Sequence, residues 1–311
     1  MSRSVALRLT DHIDLPPHRG PGGFDHAAVH RGRGRVYVAH TANDAVDVID
    51  SIGHRYLASI ERLAGVAGAL VSEERDLVFT SNRGDNTVGL FAPEDDAPPV
   101  RIPVGVRPNG LAYDPTRDLL FAANVGDPGI AGSCTVSVVD VATRGMVAAI
   151  PVPGRTRWTI VDEASRACYV NILDPPQVVV IDIATLRVSR VIPIPAAGPH
   201  GLDADAERGR LFCACDAGAL VEIDIGSGDI ARRADLAGAP DVIFFNPRRR
   251  HLYVAIGDPG LIEVFDTVAL RRVDAVPTEK GAHTLAFDAA SDTVYAFLPE
   301  THRAAVYVDP A

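Results

Sequence analysis

The sequence predicts an all-β fold, a seven-bladed β-propeller with four antiparallel strands in each blade. The first observation behind this prediction is a motif that recurs roughly every 42 residues, with residues 105–129 as its fullest copy. The second is that the copies are rich in β-branched residues and are divided by Gly, Pro and Asp turns. The third is that seven copies follow one another without a linker. Their alignment brings to one common position Asp25, Ala67, Asn109, Arg157, His200, Asp241 and His283.

Each copy divides into four strand candidates separated by turns. In the third copy these candidates are residues 109–114, 118–124, 134–140 and 146–153. We predict one domain over residues 1–311, because no linker interrupts the repeat. Its blades begin near residues 24, 66, 108, 156, 199, 240 and 282.

The last copy is one strand short, and a strand-like segment at residues 4–15 precedes the first copy. We therefore expect residues 4–15 to pair with residues 306–308 as the outer strand of the last blade. Such pairing closes the ring, and closure removes the free sheet edge that an open ring would expose.

Composition excludes several function classes. The net charge of −10 argues against nucleic acid or an anionic membrane as a partner. The first twenty residues lack the apolar run of a signal peptide, and no stretch is long enough to span a membrane. The four cysteines show no paired spacing. We expect a cytoplasmic protein that acts on a small molecule, and the oligomeric state is left open.

The common position faces the propeller axis, so its side chains form a ring. In four adjacent blades it carries histidine or aspartate, and two further histidines lie nearby. Histidines and carboxylates that face one axis match the ligands of one divalent ion such as Zn²⁺, Mn²⁺, Fe²⁺ or Mg²⁺. The predicted ligands are His200, His283, Asp25, Asp241, His40 and His26. The alternative is that these side chains line a water-filled channel and bond to neighbouring backbone.

The other half of the ring predicts a substrate-binding surface. Arg157 precedes Trp158, the only tryptophan, and this pair is suited to hold a carboxylate and to stack on a flat group. Asn109 and Asn82 are the other predicted substrate-binding residues. The alternative is that Trp158 fills the interface between two blades while Arg157 lies at the surface.

Two runs carry a family resemblance, Pro-Asn-Gly-Leu-Ala at residues 108–112 and Leu-Phe-Ala-Ala-Asn at residues 120–124. With them the repeats resemble the YVTN-repeat family, bacterial seven-bladed propellers that include YncE-like proteins. The asparagine that ends the second strand in that family is kept only at Asn82 and Asn124. Propellers of this group are also similar to virginiamycin B lyase and the lactonase propellers, so the resemblance implies chemistry at the central channel.

These observations together predict an enzyme with its active site at the mouth of the central channel. We expect a metal-assisted lyase, or a lactone or ester hydrolase, that acts on a small polar or anionic substrate. His200, His283, Asp25 and Asp241 would hold the ion or act as acid and base, and Arg157 would position the substrate. No phosphate loop or dinucleotide fingerprint occurs, so no nucleotide cofactor is expected. The alternative is a non-catalytic propeller that binds a protein or a small ligand.

Overall fold

The computed structural model describes residues 6–93 and 97–310, which form seven four-stranded antiparallel sheets. The predicted all-β, seven-bladed propeller is therefore confirmed. The helical elements in these residues are three short 3-10 turns, Arg31–Arg33, Thr41–Asn43 and Ala206–Arg208. No helix in the described part of the chain is long and apolar enough to cross a membrane.

Each of the first six blades is a meander in which strands adjacent in sequence are hydrogen-bonded neighbours, and in the seventh the N-terminal strand joins three C-terminal strands. Blade 1 contains β2 (Phe24–His30), β3 (Arg35–His40), β4 (Ala45–Asp50) and β5 (Arg55–Ile60). Blade 2 contains β6 (Val66–Ser72), β7 (Leu77–Asn82), β8 (Thr87–Phe91) and β9 (Val100–Pro103). Blade 3 contains β10 (Pro108–Asp114), β11 (Leu119–Asn124), β12 (Thr135–Asp140) and β13 (Gly145–Pro151).

The remaining blades repeat this arrangement. Blade 4 contains β14 (Thr156–Asp162), β15 (Ala167–Ile172), β16 (Gln177–Asp182) and β17 (Arg187–Pro193). Blade 5 contains β18 (Pro199–Asp205), β19 (Arg210–Cys215), β20 (Ala219–Asp224) and β21 (Ile230–Asp235). Blade 6 contains β22 (Pro240–Asn246), β23 (His251–Ile256), β24 (Leu261–Asp266) and β25 (Arg271–Pro277). Blade 7 contains β26 (Thr284–Asp288), β27 (Thr293–Leu298), β28 (Arg303–Val308) and β1 (Arg8–Asp14).

The N-terminal strand closes the ring, as predicted. In blade 7, β1 runs antiparallel to β28, with Arg8 opposite Val308 and Asp14 opposite Arg303. Residues 4 and 5 of the predicted segment lie outside the described residues. The closing strand also contributes to the core, because Ile13 is buried between blade 7 and blade 1. Strand β1 therefore joins the two ends of the chain and fills part of the packing between two blades.

The apolar core lies between neighbouring blades as layers of side chains. Between blades 3 and 4, for example, Phe121 and Val138 pack in one buried cluster with Val170 and Val179. Alternate residues of a strand face opposite sides of its sheet. Each strand in the middle of a blade therefore contributes side chains to the two layers on either side of that blade. The first strand of each blade has no sheet neighbour on its inner side, and its inward-facing residues surround the axis.

A register shift near the start of the first strand directs the ring residues toward the axis. In blade 1, Phe24 lies opposite His40, and the regular register resumes only at Ala27. Equivalent shifts occur in blades 2 to 6. Such bulges re-aim side chains. The same structural place in successive blades is occupied by Asp25, Ala67, Asn109, Arg157, His200, Asp241 and His283, as the sequence alignment proposed.

Glycine follows the ring residue in blades 2, 3 and 5, where the first strand of the next blade lies close to it. A Cβ atom at Gly110 would lie 2.7 Å from the backbone oxygen of Arg157, and one at Gly201 would lie 2.3 Å from that of Asp241. Both distances are far below van der Waals contact, so these positions exclude any side chain. In blades 1 and 4 the same position instead carries His26 and Trp158, the two large rings that meet near the axis.

Candidate active site

One end of the axis is surrounded by a set of charged and polar side chains that we name the mouth ring. It is formed by the ring residues of six blades together with Arg83 of blade 2. Its members are Asp25, Arg83, Asn109, Arg157, His200, Asp241 and His283. Contacts between neighbours divide the mouth ring into two arcs, one over blades 4 to 7 and the other over blades 1 to 3.

The first arc brings three of the predicted catalytic residues together. His200 Nε2 lies 3.1 Å from one carboxylate oxygen of Asp241, and His283 Nε2 lies 3.9 Å from the other. Asp241 therefore lies between two histidines that come from the blades on either side of it. Residues about 42 positions apart in sequence have become direct neighbours because each begins a first strand.

His200 has a second carboxylate partner that the sequence analysis missed. Its Nδ1 lies 2.7 Å from Asp216 Oδ1, directly after the second strand of blade 5. In blade 2 the residue after the second strand is Arg83, which also reaches the mouth ring. An alignment of the residue that follows the second strand of each blade would have singled out Asp216 and Arg83 as charged members of one structural position.

The two carboxylates keep His200 protonated at neutral pH. Burial alone would lower the pKa of His200, but Asp241 and Asp216 outweigh burial and raise the pKa to about 9. Burial would likewise raise the pKa of Asp241, yet His200, with a smaller effect of His283, holds it well below the usual range. The pair is therefore an imidazolium and a carboxylate over the physiological pH range.

The backbone fixes the orientation of the His283 ring, whereas carboxylates hold that of His200. Its Nδ1 lies 2.7 Å from the backbone carbonyl oxygen of Gly281, which can only accept, so Nδ1 carries the proton. In the neutral ring Nε2 is then unprotonated and faces the mouth. The side chain is 36% exposed, so a ligand can reach this nitrogen. Asp241 thus lies between His200, which carries a proton, and His283, whose Nε2 accepts a proton when the ring is neutral, and acid–base catalysis needs one group of each kind.

The second arc holds Asp25 in a different environment. Asp25 lies 3.3 Å from Arg83 Nη2 and 3.3 Å from His26 Nε2. Arg83 also donates to the side-chain oxygen of Asn109. Burial lowers the pKa of His26, which the nearby Asp25 and Asp241 offset only in part, so His26 is neutral. Asp25 is therefore paired mainly with an arginine rather than with His200 or His283.

His26 and Trp158 close the axis beneath the mouth ring. Their ring centroids lie 4.1 Å apart at an interplanar angle of 49°, although they belong to blades 1 and 4. Trp158 therefore faces inward, as the substrate-binding prediction requires, and its neighbour Arg157 lies in the mouth ring above it.

A group of arginines gives one side of the mouth a positive charge. Burial lowers the pKa of Arg155, and the charges of Arg157, Arg107 and Arg83 lower it further. Arg157 contacts His200 Nε2 at 3.3 Å and Asp216 at 3.7 Å. The Nε atoms of Arg83 and Arg157 are buried and have no hydrogen-bond partner in the described residues. Guanidinium groups are suited to hold an anion such as a carboxylate.

Two predicted site residues have their partners elsewhere. His40 is fully buried, with Nδ1 at 2.7 Å from Asp47 and Nε2 at 2.7 Å from His18. Asn82 is fully buried in blade 2, where its amide group donates to Thr87. Both end a second strand, and their side chains face the packing between blades rather than the ring.

The predicted divalent ion stays a prediction. Within residues 6–93 and 97–310, no three His, Cys, Asp or Glu side chains are grouped in a way that would hold a metal ion. Both ring nitrogens of His200 face carboxylate oxygens, so His200 presents no free lone pair to an ion. A metal ligand must be a neutral imidazole, so an ion bound by His200 would have to displace its proton.

Comparison with known proteins supports the class of fold that the repeat and the mouth define, a seven-bladed propeller. No family model matches the chain, so its membership of the YVTN-repeat family is not confirmed, and no curated protein matches it. Among solved structures the chain is similar to a chain of Kuenenia stuttgartiensis hydrazine synthase. The TM-score is 0.83 at 15% identity, over 95% of this chain and 97% of that chain. At this identity the likeness shows the fold alone, and the function must be argued from the site.

Proposed function

We propose that the mouth ring is the active site of an acid–base enzyme that acts on a small carboxylate or another small anion. The observation that carries this proposal is Asp241, which lies between protonated His200 and a second imidazole, His283, whose Nδ1 donates to the backbone carbonyl oxygen of Gly281. The arginines on the adjacent side supply the charge that would hold the anionic end of the substrate. The reaction classes that fit are elimination by a lyase and hydrolysis of a lactone or ester.

In the elimination reaction the two histidines have opposite roles. His283 Nε2 takes a proton from the carbon next to the substrate carboxylate, and the C–H electron pair forms the new C=C bond. The bond between the next carbon and its oxygen or nitrogen substituent breaks, and the leaving group takes the proton of His200. Arg157 stabilises the enolate charge that develops on the substrate carboxylate. Solvent then returns a proton to His200 and removes one from His283.

In the hydrolytic reaction the same pair acts on water. His283 Nε2 takes a proton from a water molecule as its oxygen attacks the carbonyl carbon. The electron pair of the carbonyl bond moves onto oxygen, where an arginine stabilises the negative charge. When the tetrahedral species collapses, the alkoxide leaves with the proton of His200. Asp241 transfers no proton in either reaction. Its role is to orient the two imidazoles and to stabilise whichever ring is cationic.

The test is a panel of small hydroxy- and aminocarboxylates and lactones incubated with the protein in D₂O and followed by proton NMR. Loss of a C–H signal reports proton abstraction, and new product signals report elimination or hydrolysis. We expect His283→Ala to lower the rate by roughly a hundredfold or more. His54→Ala is the matched control, because His54 pairs with Asp11 at the outside of the ring. An unchanged rate in His283→Ala would contradict the proposal.

The second candidate function is binding of a small anion without turnover, which the arginine group alone supports. Under this alternative the panel shows neither exchange nor product, and an anion still binds to the mouth. Binding would then be lost in Arg157→Ala and kept in His283→Ala. The enzyme proposal instead requires that His283→Ala binds the substrate and fails to convert it.

A further inference from the structure

A second cavity lies on the axis, beneath the rings of His26 and Trp158. Its volume is about 690 Å³, and first-strand residues of all seven blades line it. The volume lies within the range of small-molecule binding sites. His26 and Trp158 form the end nearest the mouth ring. The other end lies among the exposed residues Glu163, Ala164 and Ala206, where first strands turn into second strands, so this axial channel opens to solvent there.

The wall of the axial channel is largely apolar. Its acidic lining residues are Asp162 and Glu163, at the open end where the first strand of blade 4 ends, and Asp203 of blade 5, at a level nearer the mouth ring. In every blade the residue at this level lies opposite a phenylalanine or tyrosine of the second strand, as Asp203 lies opposite Phe212. The other six residues at this level are apolar: Ala28, Leu70, Ala112, Ile160, Phe244 and Ala286. Since six of the seven blades have an apolar residue here, the fold itself needs no carboxylate at this place.

Asp203 has hydrogen-bond donors but no countercharge. Its two carboxylate oxygens accept from the backbone N–H groups of Ala204 at 2.8 Å and Phe245 at 2.6 Å. Within residues 6–93 and 97–310 it forms no ion pair with a lysine, arginine or histidine. Burial raises the pKa of Asp203 to about 6, and the two N–H groups oppose this effect. At neutral pH the axial channel therefore contains an ionised carboxylate that lacks a cation.

An aromatic surface lies beside this carboxylate. Trp158 and Phe244 have ring centroids 6.4 Å apart in an edge-to-face arrangement, and Phe244 and Phe287 lie 6.5 Å apart. Phe244 precedes Phe245, whose N–H group binds Asp203. All three rings line the axial channel. Aromatic faces attract cations, and this attraction increases when water is excluded.

We propose that the axial channel binds an organic cation, an ammonium group carried on an apolar body. Asp203 is its counter-charge, the rings of Trp158, Phe244 and Phe287 contact the ammonium methyl or methylene groups, and the apolar wall holds the body. This site goes beyond the function proposed for the mouth, because the rings of His26 and Trp158 separate the two. Anions are held above these rings by arginine, and cations below them by Asp203.

The binding test uses octyltrimethylammonium as the probe, with 1-octanol and octanoate as matched neutral and anionic compounds. Trp158 is the only tryptophan and lines the channel, so its fluorescence reports occupancy. We expect the cation to bind at least roughly tenfold more tightly than octanol, with octanoate weakest, because a charge-assisted contact is added. The probe keeps its charge at every pH, so its affinity should rise with pH as Asp203 ionises. Equal affinity for the cation and octanol would overturn the proposal.

Variants locate the site. Asp203→Asn keeps a hydrogen-bond acceptor but removes the charge, and we expect it to abolish the preference for the cation over octanol. Glu163→Gln is the matched control, because it removes the same charge from an exposed residue at the open end of the channel. It should leave the preference unchanged. A preference that survives Asp203→Asn would also overturn the proposal. Should that variant fold poorly, the comparison of probes in the unaltered protein decides the question.

Discussion

Replacing Ile13 by alanine tests whether the N-terminal strand is part of the folded ring. Ile13 is 2% exposed and lies in one buried cluster with Phe24, Tyr295 and Phe297, which belong to blades 1 and 7. Removing a buried isoleucine side chain to this extent costs about 2–5 kcal/mol, because transfer energy is lost and a cavity remains. Because the closed ring buries Ile13 between blades 1 and 7, we expect Ile13→Ala to lower the free energy of unfolding of the whole protein by about 3 kcal/mol.

The matched control is Leu9→Ala on the same strand. Leu9 is 46% exposed, so the same kind of truncation should cost less than about 1 kcal/mol. Urea unfolding followed by circular dichroism measures both losses of stability. The dependence of the free energy of unfolding on urea concentration should be the same in both variants, which shows that the same folding transition is compared. Equal losses for the two variants, or an unchanged unfolding midpoint for Ile13→Ala, would refute the reasoning that β1 completes blade 7.

Three further predictions concern the two sites. The pKa of His200 is about 9 against an ordinary 6.5, so its ion pairs contribute about 3 kcal/mol. This contribution is complete below pH 6.5 and is lost as the pH rises to 9, and urea unfolding should show the stability difference from His200→Gln shrinking over that interval. Asp203 has a raised pKa of about 6, so its ionisation costs stability as the pH rises from 3.8 to 6. The free energy of unfolding of Asp203→Ala, relative to that of the unaltered protein, should therefore increase over that interval. A constant difference in this free energy would argue against a buried, unpaired carboxylate. Gly201→Ala places a Cβ atom 2.3 Å from the backbone oxygen of Asp241 and should cost about 1–3 kcal/mol. Gly145→Ala, whose nearest neighbouring atom lies 3.8 Å away, should leave thermal unfolding unchanged.

The repeat in the sequence predicts most of the fold because each copy is one structural unit with one register. The common position of the alignment became the ring around the axis, and His200, Asp241 and His283 came into contact as neighbours. The missing strand of the last copy predicted the closing pair of β1 and β28. These inferences succeed because equivalent residues of a closed ring must face the same axis.

The parts of the site that the sequence analysis missed depend on features that the repeat does not encode. Asp216 lies outside the common position, and the equivalent residues of the other blades share no chemistry with it, apart from the charged Arg83. The tautomer of His283 depends on the backbone oxygen of Gly281, which no sequence pattern shows. Asp203 was overlooked because it lies in an ordinary strand and stands out only when the seven copies are compared.

The sequence contains a pattern that predicts where His40 lies. The residue that ends the second strand is Ile172 in blade 4, Cys215 in blade 5 and Ile256 in blade 6, and all three are fully buried. Apolar residues at a repeat position indicate that the position faces the packing between blades. His40 follows the same geometry and satisfies its ring nitrogens with Asp47 and His18.

The central claim is that Asp241 lies between the protonated imidazole of His200 and the imidazole of His283, whose Nδ1 donates to Gly281. The most direct measurement is a titration of the histidine ring signals by NMR from pH 5 to 10, with His200→Gln and His283→Gln used to assign them. The account predicts that His200 remains protonated up to a pH near 9 and that His283 carries a proton on Nδ1, which it donates to the carbonyl oxygen of Gly281. If His200 lost its proton well below pH 9, or if Nε2 rather than Nδ1 of His283 carried the proton, the proposed division into acid and base would be wrong.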